Sequence, residues 1–137
     1  MDTNKLINKA MEARLNSYSP YSNFQVGAAL LTSDSRIYTG CNIESASFSP
    51  TNCAERTAVF KAVSEGVRDF SAIAVTGGPR GQFLEYCFPC GVCLQVLSEF
   101  TEPDIFLVIT AKSPDDFQTF SLSRLLPYGF RLPGRRV

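Results

Sequence analysis

Residues 70–110 read FSAIAVTGGPRGQFLEYCFPCGVCLQVLSEFTEPDIFLVIT. The apolar run at 70–76 predicts a strand, the helical spacing at 91–99 predicts a short helix, and the apolar run at 105–110 predicts a second strand. A loop rich in glycine and proline follows the first strand. Strands that alternate with helices indicate an α/β fold, in which helices cover a sheet.

The segments on either side of this stretch continue the alternation. Helical spacing predicts helices at 4–17, capped by Asp2 or Thr3, and from Thr51 or Asn52 to residue 65, before Gly66. Further predictions are strands at 24–31, 37–41 and 117–120, a turn at 19–23, a loop at 43–50 and a helical turn at 122–125. The 137 residues contain no repeat or linker, so a single domain over 1–137 is expected.

Composition and charge argue against several classes of function. The 13 Lys and Arg residues balance 13 Asp and Glu residues, so no global charge favours nucleic acid or an acidic membrane. No apolar run reaches the roughly 20 residues that cross a bilayer. Arg131, Arg135 and Arg136 are interpreted as part of a solvated tail. Five cysteines without a signal-peptide segment favour a cytoplasmic location and metal or redox use rather than disulfides.

Three cysteines and a glutamate carry the chemical signal. Cys53 stands two residues before Glu55, and Cys90 and Cys93 lie three apart at a predicted helix start. Because the chain contains no histidine, a metal site must use thiolates and carboxylates. Three thiolates are one short of a closed tetrahedral zinc site, which leaves a position for a water. Glu55 is well placed to move the protons of that water.

The predicted helix starts also favour charged sulfurs. Helix N-termini stabilise negative charge, so thiols at these positions ionise more easily. Three thiolates more than cancel the charge of a zinc ion, and Arg56 could offset the excess by donating hydrogen bonds to the sulfurs. Thiolates suit iron as well as zinc.

The cysteines alone leave alternatives open. Cys87 would add a fourth sulfur, enough for a closed structural zinc site or an iron–sulfur cluster. The CxxC spacing by itself could be a redox pair. Asn52-x-x-Glu55 has the form of a helix-capping motif, which would make the glutamate structural. Cys41 is interpreted as a small buried residue rather than a ligand.

With these residues in place, the chain resembles the small homotetrameric zinc-dependent cytidine deaminases. Four segments carry the resemblance: PYSNFQVGAA at 20–29, GCNIE at 40–44, CAERTA at 53–58 and PCGVC at 89–93. They occur in the family's order at similar separations. The resemblance implies a three-layer α/β/α sandwich with a mixed five-stranded sheet, a role in pyrimidine salvage, and a homotetramer whose subunits share active sites.

The resemblance also implies the reaction. Cys53, Cys90 and Cys93 would hold zinc, water would attack C4 of the cytosine ring, and Glu55 would move the protons. Cytidine and deoxycytidine would become uridine and deoxyuridine, with release of ammonia.

Further residues resemble the family's substrate-binding positions. Phe24 would pack on the pyrimidine face, the N–H of Ala54 would bind the base carbonyl, and Asn42 and Glu44 would bind the ribose 3′-hydroxyl. Phe130 would reach the substrate of a neighbouring subunit. Read without the resemblance, Phe24 is a core strand residue, Asn42 and Glu44 belong to a polar loop, and Phe130 anchors the tail.

Two features depart from the family. Leu94 stands where the family commonly has arginine after the last zinc cysteine, which predicts weaker activation of the water or a compensating group elsewhere. Cys87 lies just ahead of the zinc cysteines, where it could compete for the metal, oxidise or face away. The alternative functions are deamination of a related aminopyrimidine nucleoside such as blasticidin S, and a non-catalytic protein with a four-cysteine zinc site. Neutral charge and the lack of a basic aromatic groove disfavour a polynucleotide substrate.

Overall fold

The structure, a computed structural model, describes residues 1–134, and Arg135 and Arg136 of the predicted tail lie outside them. Within these residues the elements follow the predicted alternation of helices and strands. They are α1 (Thr3–Arg14), β1 (Phe24–Thr32), β2 (Ile37–Cys41), α2 (Ala54–Ser64), β3 (Phe70–Pro79), α3 (Gly91–Glu99), β4 (Leu107–Ser113), β5 (Asp116–Ser121) and α4 (Leu122–Leu125). No helix in this part of the chain has both the length and the apolar character needed to span a membrane.

The strands form one mixed sheet in the order β2-β1-β3-β4-β5. Strand β1 runs antiparallel to β2 and β3, β3 runs parallel to β4, and β4 runs antiparallel to β5. Helix α3 belongs to the crossover between the parallel strands β3 and β4, which need such a connection. The predicted mixed five-stranded sheet is confirmed.

Helices cover both faces of the sheet. Side chains alternate along β1, so that Ala29 packs in one core cluster while Ala28 and Leu30 pack in the other. Helix α1 buries Leu6 and Ile7 in the first cluster. Helices α2 and α3 bury their apolar faces in the second, and its buried members include Ala54, Ala58, Val59, Ala62, Leu94 and Leu97. The predicted three-layer α/β/α arrangement is therefore confirmed.

The end of the predicted first helix and the start of the predicted second helix were misplaced. Helix α1 has the predicted cap at Asp2, whose side chain accepts from the N–H of Lys5, but it ends at Arg14 and not at residue 17. Helix α2 begins two to three residues later than predicted, because Asn52 exchanges two backbone hydrogen bonds with Ile43 in an isolated bridge. Tertiary pairing overrides local helix signals at these ends.

Strand boundaries also shifted. Strand β3 continues to Pro79, because its last residues stay paired with the start of β1 at Phe24. Strand β4 begins at Leu107 rather than 105, since the N–H groups of Ile105 and Phe106 both donate to the carbonyl of Glu102 in a turn.

Gly40 allows β2 and α2 to touch backbone to backbone. A Cβ at this position would lie 2.5 Å from the carbonyl oxygen of Ala54 and 2.6 Å from the nitrogen of Ala58. Any side chain there would push the first turn of α2 away from the sheet. The contact brings the start of α2 next to the end of β2, where the residues of the site follow.

Candidate active site

Two helix N-termini bring three sulfurs together. Cys53 is the N-cap of α2, Cys90 is the N-cap of α3, and Cys93 lies in the first turn of α3. Their Sγ atoms all lie within 4.8 Å of one another, and those of Cys53 and Cys90 are 4.0 Å apart. Zinc bound tetrahedrally at about 2.3 Å from sulfur places its ligands roughly 3.8 Å apart. The spacing of the sulfurs therefore fits zinc.

Cys87 does not join this cluster. Among residues 1–134, the group of side chains able to hold a metal consists of Cys53, Cys90 and Cys93. The Cys87 sulfur instead lies where a Cβ on Gly77 would approach it to 2.6 Å. Burial, with a smaller effect of nearby carboxylates, raises the pKa of Cys87 to about 11, so the thiol is neutral at pH 7. A fourth-ligand role, and with it a closed four-cysteine site, has no support in this geometry.

Arg56, predicted to offset the charge of the sulfurs, forms a hydrogen bond to one of them. Its Nη2 donates to the Sγ of Cys53 at 3.2 Å. Burial opposes the charge on Arg56, but hydrogen bonds to the sulfurs of Cys53 and Cys93 raise its pKa. A hydrogen bond from Cys93 and, against the effect of burial, one from Arg56 lower the pKa of Cys53. These contacts favour the thiolate form of Cys53. The hydrogen bond that Cys93 shares with Cys53, together with burial, raises the pKa of Cys93 in the absence of a metal.

Glu55 lies in the first turn of α2 with only 4% of its surface exposed. Burial is the main cause that raises its pKa to about 7, and the nearby Cys53 adds to the shift. A carboxyl group with this pKa can both accept and donate a proton near neutral pH. The capping interpretation of Asn52-x-x-Glu55 is wrong, because Cys53 is the N-cap and the Asn52 amide donates to Thr57 Oγ1 at 3.1 Å.

A cavity of about 330 Å³ opens beside the sulfurs and Glu55. Four of the five predicted substrate-binding residues line it, and Phe130 does not. The lining residues are Phe24, Val26, Asn42, Glu44, Thr51, Asn52, Cys53, Ala54, Glu55, Val75, Cys87, Phe88 and Cys90. A larger surface groove of about 440 Å³, around residues 33–36 and 66–69, contains none of the sulfurs.

Asn42 and Glu44 line the cavity from the segment that follows β2. The Asn42 amide donates from Nδ2 to the carbonyl of Phe24 and accepts at Oδ1 from the N–H of Val26, both at 2.9 Å. Glu44 Oε1 accepts from the N–H of Tyr21 at 2.9 Å. Both side chains are therefore fixed by the backbone around the start of β1.

Ala54 and Phe130 have different surroundings. Ala54 is fully buried at the first position of α2, where a backbone N–H has no acceptor within the helix. Phe130 is 67% exposed. Its backbone is held by Gln95, whose Oε1 accepts from the Phe130 N–H at 3.1 Å and whose Nε2 donates to the Phe130 carbonyl at 2.5 Å.

A family model for the cytidine and deoxycytidylate deaminase zinc-binding region matches residues 1–109. The chain belongs to this family. A cytidine deaminase of Sporosarcina psychrophila is 48% identical over 130 residues, which cover 95% of this chain and 92% of that protein. The crystal structure of a cytidine deaminase from Burkholderia pseudomallei matches with a TM-score of 0.82 and 44% identity, covering 92% of this chain and 97% of that chain. A blasticidin-S deaminase of Bacillus cereus is 34% identical over 88 residues, 61% of this chain and 62% of that protein.

Leu94, which stands where the family commonly has arginine, lies in the core. Leu94 is 8% exposed and packs in the core cluster under α2 and α3. Its apolar side chain is thus used in packing, and Arg56 supplies the positive charge beside the sulfurs.

Sequence reasoning missed part of the cavity wall. Val26 and Val75 line the cavity from strands β1 and β3. Phe88 lines it from the loop before α3, and its ring lies 5.5 Å from that of Phe120 in β5. The strand alternation that places Val75 on the same face as Ile73 could have indicated the valine. No local pattern marks Phe88, because its position depends on β5.

Proposed function

We propose that this protein is a zinc-dependent hydrolase that deaminates cytidine and deoxycytidine to uridine and deoxyuridine, with release of ammonia. The observation that carries the proposal is the convergence of three thiol ligands and a buried glutamate on one cavity. Three protein ligands leave a zinc ion an open position, which is typical of catalytic rather than structural sites.

Cys53, Cys90 and Cys93 hold the zinc, and Arg56 stabilises the thiolates. Bound zinc supplies a Lewis acid that makes water a nucleophile near neutral pH. Both Cys53 and Cys93 form hydrogen bonds with Arg56, so loss of the guanidinium leaves excess negative charge on the sulfurs. That charge would weaken the Lewis acid.

Glu55 moves the protons of the reaction. Its carboxylate accepts a proton from the attacking water and delivers it to N3 of the base as the new C4–O bond forms. Glu55 then takes the proton of the new C4 hydroxyl and passes it to the amino group on C4. The C4–N bond breaks as the C4 carbonyl forms, and ammonia leaves. The raised pKa of Glu55 suits a group that must alternate between both states.

The remaining cavity residues orient the nucleoside. The ring of Phe24 packs against the pyrimidine, and the N–H of Ala54 donates to the base carbonyl at C2. Asn42 and Glu44 bind the 3′-hydroxyl of the sugar, since an amide and a carboxylate can donate to and accept from one hydroxyl. Their positions along the cavity wall support this orientation.

Phe130 completes the site of a neighbouring subunit in a homotetramer. Its ring does not line the cavity of its own chain, and its backbone is nonetheless held in place by Gln95. An exposed aromatic ring on a fixed backbone is suited to a subunit interface. We further propose that the 137-residue chain is one domain and that it acts in pyrimidine salvage. Free thiols suit the reducing cytoplasm, and neutral charge agrees with a small-molecule substrate without nucleic acid or membrane.

The partial similarity to a blasticidin-S deaminase supports a second candidate, deamination of a related aminopyrimidine nucleoside. Glu44 and Asn42 favour a free sugar hydroxyl and therefore cytidine. Side-by-side kinetics with blasticidin S and cytidine on the zinc-loaded protein separates the two, because the true substrate has the higher kcat/KM.

The test of the primary proposal is the loss of cytidine's ultraviolet absorbance with zinc-loaded protein, beside Glu55→Gln at the same zinc content. We expect rapid loss with the parent and a loss about 10²- to 10⁴-fold slower with the variant. Absence of turnover of cytidine and deoxycytidine by the parent, with zinc bound, would refute the proposal.

A further inference from the structure

The connector between α1 and β1 is hydrogen-bonded to the segment that carries Asn42 and Glu44. The N–H of Tyr18 donates to the Asn42 carbonyl at 3.1 Å, and the N–H of Glu44 donates to the Tyr18 carbonyl at 2.8 Å. Two serine hydroxyls, from Ser17 and Ser22, add bonds to the side chains of Asn42 and Glu44. The proposed sugar-binding pair thus depends on residues 17–22 as well as on the sheet.

Ser17 bonds to the Asn42 amide from the end of α1. Ser17 is 8% exposed, and its hydroxyl donates to Asn42 Oδ1 at 2.5 Å. Oδ1 therefore accepts from both Ser17 and the N–H of Val26, while Nδ2 donates one hydrogen to the Phe24 carbonyl. A primary amide has two N–H donors. The second N–H has no acceptor among the described residues and remains for a ligand in the cavity that Asn42 lines.

Ser22 fixes the Glu44 carboxylate in the same way. Its hydroxyl donates to Oε2 at 2.5 Å, while the N–H groups of Tyr21 and Ser22 donate to Oε1 at 2.9 and 3.2 Å. The Ser22 hydroxyl and these backbone donors hold the pKa of Glu44 below its usual value. Three donors define the plane of a carboxylate that would otherwise rotate, and free lone pairs remain to accept a further hydrogen bond.

We propose that Ser17 and Ser22 are positioning residues that set the recognition of a sugar 3′-hydroxyl by orienting Asn42 and Glu44. The inference rests on the proposed function, in which a nucleoside occupies the cavity. A fixed N–H donor beside a fixed carboxylate matches a hydroxyl, which accepts from the amide and donates to the carboxylate. Because the pair is ordered before the ligand arrives, binding loses less side-chain entropy.

The experiment measures Kd by calorimetry on zinc-loaded protein that carries Glu55→Gln, so that no ligand is consumed. Ser17→Ala and Ser22→Ala are each compared with the serine parent for cytidine, 2′-deoxycytidine and 3′-deoxycytidine. We expect each substitution to weaken the first two ligands by about 3- to 10-fold, the effect of one lost hydrogen bond. Binding of 3′-deoxycytidine, which lacks the recognised hydroxyl, should change by less than about twofold. When Ser17→Ala or Ser22→Ala is made in the active protein, with Glu55 intact, KM for cytidine should rise and kcat should stay constant.

Two control variants separate positioning from folding. Ser22→Thr keeps a hydroxyl at an exposed position and should restore the affinity. Ser64→Ala removes a hydroxyl that donates to the Lys61 carbonyl at 2.8 Å, at the far end of α2, and should change none of the three Kd values. Should the buried Ser17→Ala variant fail to fold, the exposed Ser22 still decides the question.

The outcomes distinguish this inference from the proposed function. The inference is overturned if the serine substitutions weaken the binding of all three nucleosides equally, or weaken none of them. The proposed function still stands in that case, provided that the parent deaminates cytidine. If the substitutions weaken only the nucleosides that carry a 3′-hydroxyl but the parent does not deaminate cytidine, the inference stands and the proposed function is overturned. Failure of all three nucleosides to bind overturns both.

Discussion

Two parts of the cavity wall are built differently: the sulfur end, which carries Cys53, Glu55 and Cys90, and the other end, which carries Asn42 and Glu44. At the sulfur end, Cys53, Glu55 and Cys93 stand on the first turns of two helices, and Glu55 and Cys93 are almost fully buried. At the other end, Asn42 and Glu44 follow a strand in irregular chain and are only partly buried. The sulfur end is fixed by core packing, whereas the other end is fixed by hydrogen bonds near solvent. We therefore expect substitutions at the first to change kcat and metal content, and those at the second to change KM.

The largest effect is expected for Cys53→Ser. Loss of one thiolate from a three-thiolate site should leave little zinc bound and no detectable turnover, because the ligands act together. The measurement is zinc per chain after dialysis, together with cytidine turnover. Cys87→Ser is the matched control and should keep both zinc and activity. The opposite pattern, with zinc lost from Cys87→Ser and kept by Cys53→Ser, would reinstate a structural site.

Glu55→Gln should keep the zinc and lose the proton carrier. The change is nearly isosteric, so we expect normal zinc content and a fall in kcat of about 10²- to 10⁴-fold, the usual contribution of a general acid–base group. Glu12→Gln, an exposed position of α1 paired with Lys9, serves as the control and should keep full activity. A kcat within about tenfold of the parent would assign the proton transfers to another group.

Arg56→Gln tests whether the sulfur end depends on its compensating charge. Removing the hydrogen bonds to Cys53 and Cys93 should weaken zinc binding by about 10- to 100-fold, as for other groups that support metal ligands. Competition with a chromogenic chelator measures the affinity. Arg68→Gln, at an exposed arginine, should leave it unchanged. Equal affinities in the two variants would mean that the thiolates need no such partner.

The smallest effect is expected at the other end of the cavity, from Glu44→Gln. The amide keeps the shape of the side chain but loses the charge that strengthens its hydrogen bonds, so KM for cytidine should rise by about 3- to 10-fold at constant kcat. Steady-state kinetics with cytidine and 3′-deoxycytidine provide the check. A fall in kcat larger than the rise in KM would remove the distinction between the two ends.

Local chemistry made the sulfur end predictable. The start of α3 after Pro89 was predicted to the residue, and the CxxC spacing placed Cys90 and Cys93 near the same helix start. What the residues could not indicate was that Cys53 meets them, because that contact depends on the order of the strands. The family resemblance supplied the sheet that was later confirmed, including its five strands and its two helical layers.

The other end shows where local signals fail. The end of α1 and the start of α2 were both misplaced, and each lies where the chain forms tertiary hydrogen bonds with the 42–52 segment. Spacing cannot indicate such pairings, since they join residues far apart in sequence. Phe88 was missed for the same reason, because its ring is held by Phe120 across the sheet edge. The roles assigned to Asn42 and Glu44 remain predictions, although both residues line the cavity.

The backbone contact at Gly40 has a consequence for the rigidity of the cavity wall. Asn42 lies two residues beyond this glycine, and Ala54, whose carbonyl oxygen faces it, directly follows Cys53. Both nearest opposing atoms belong to the backbone of α2, so a rotamer change cannot widen the contact. The chain that carries Asn42 and the helix start that carries Cys53 are therefore joined without an adjustable side chain between their backbones. A Cβ at position 40 would have to shift one of them relative to the other.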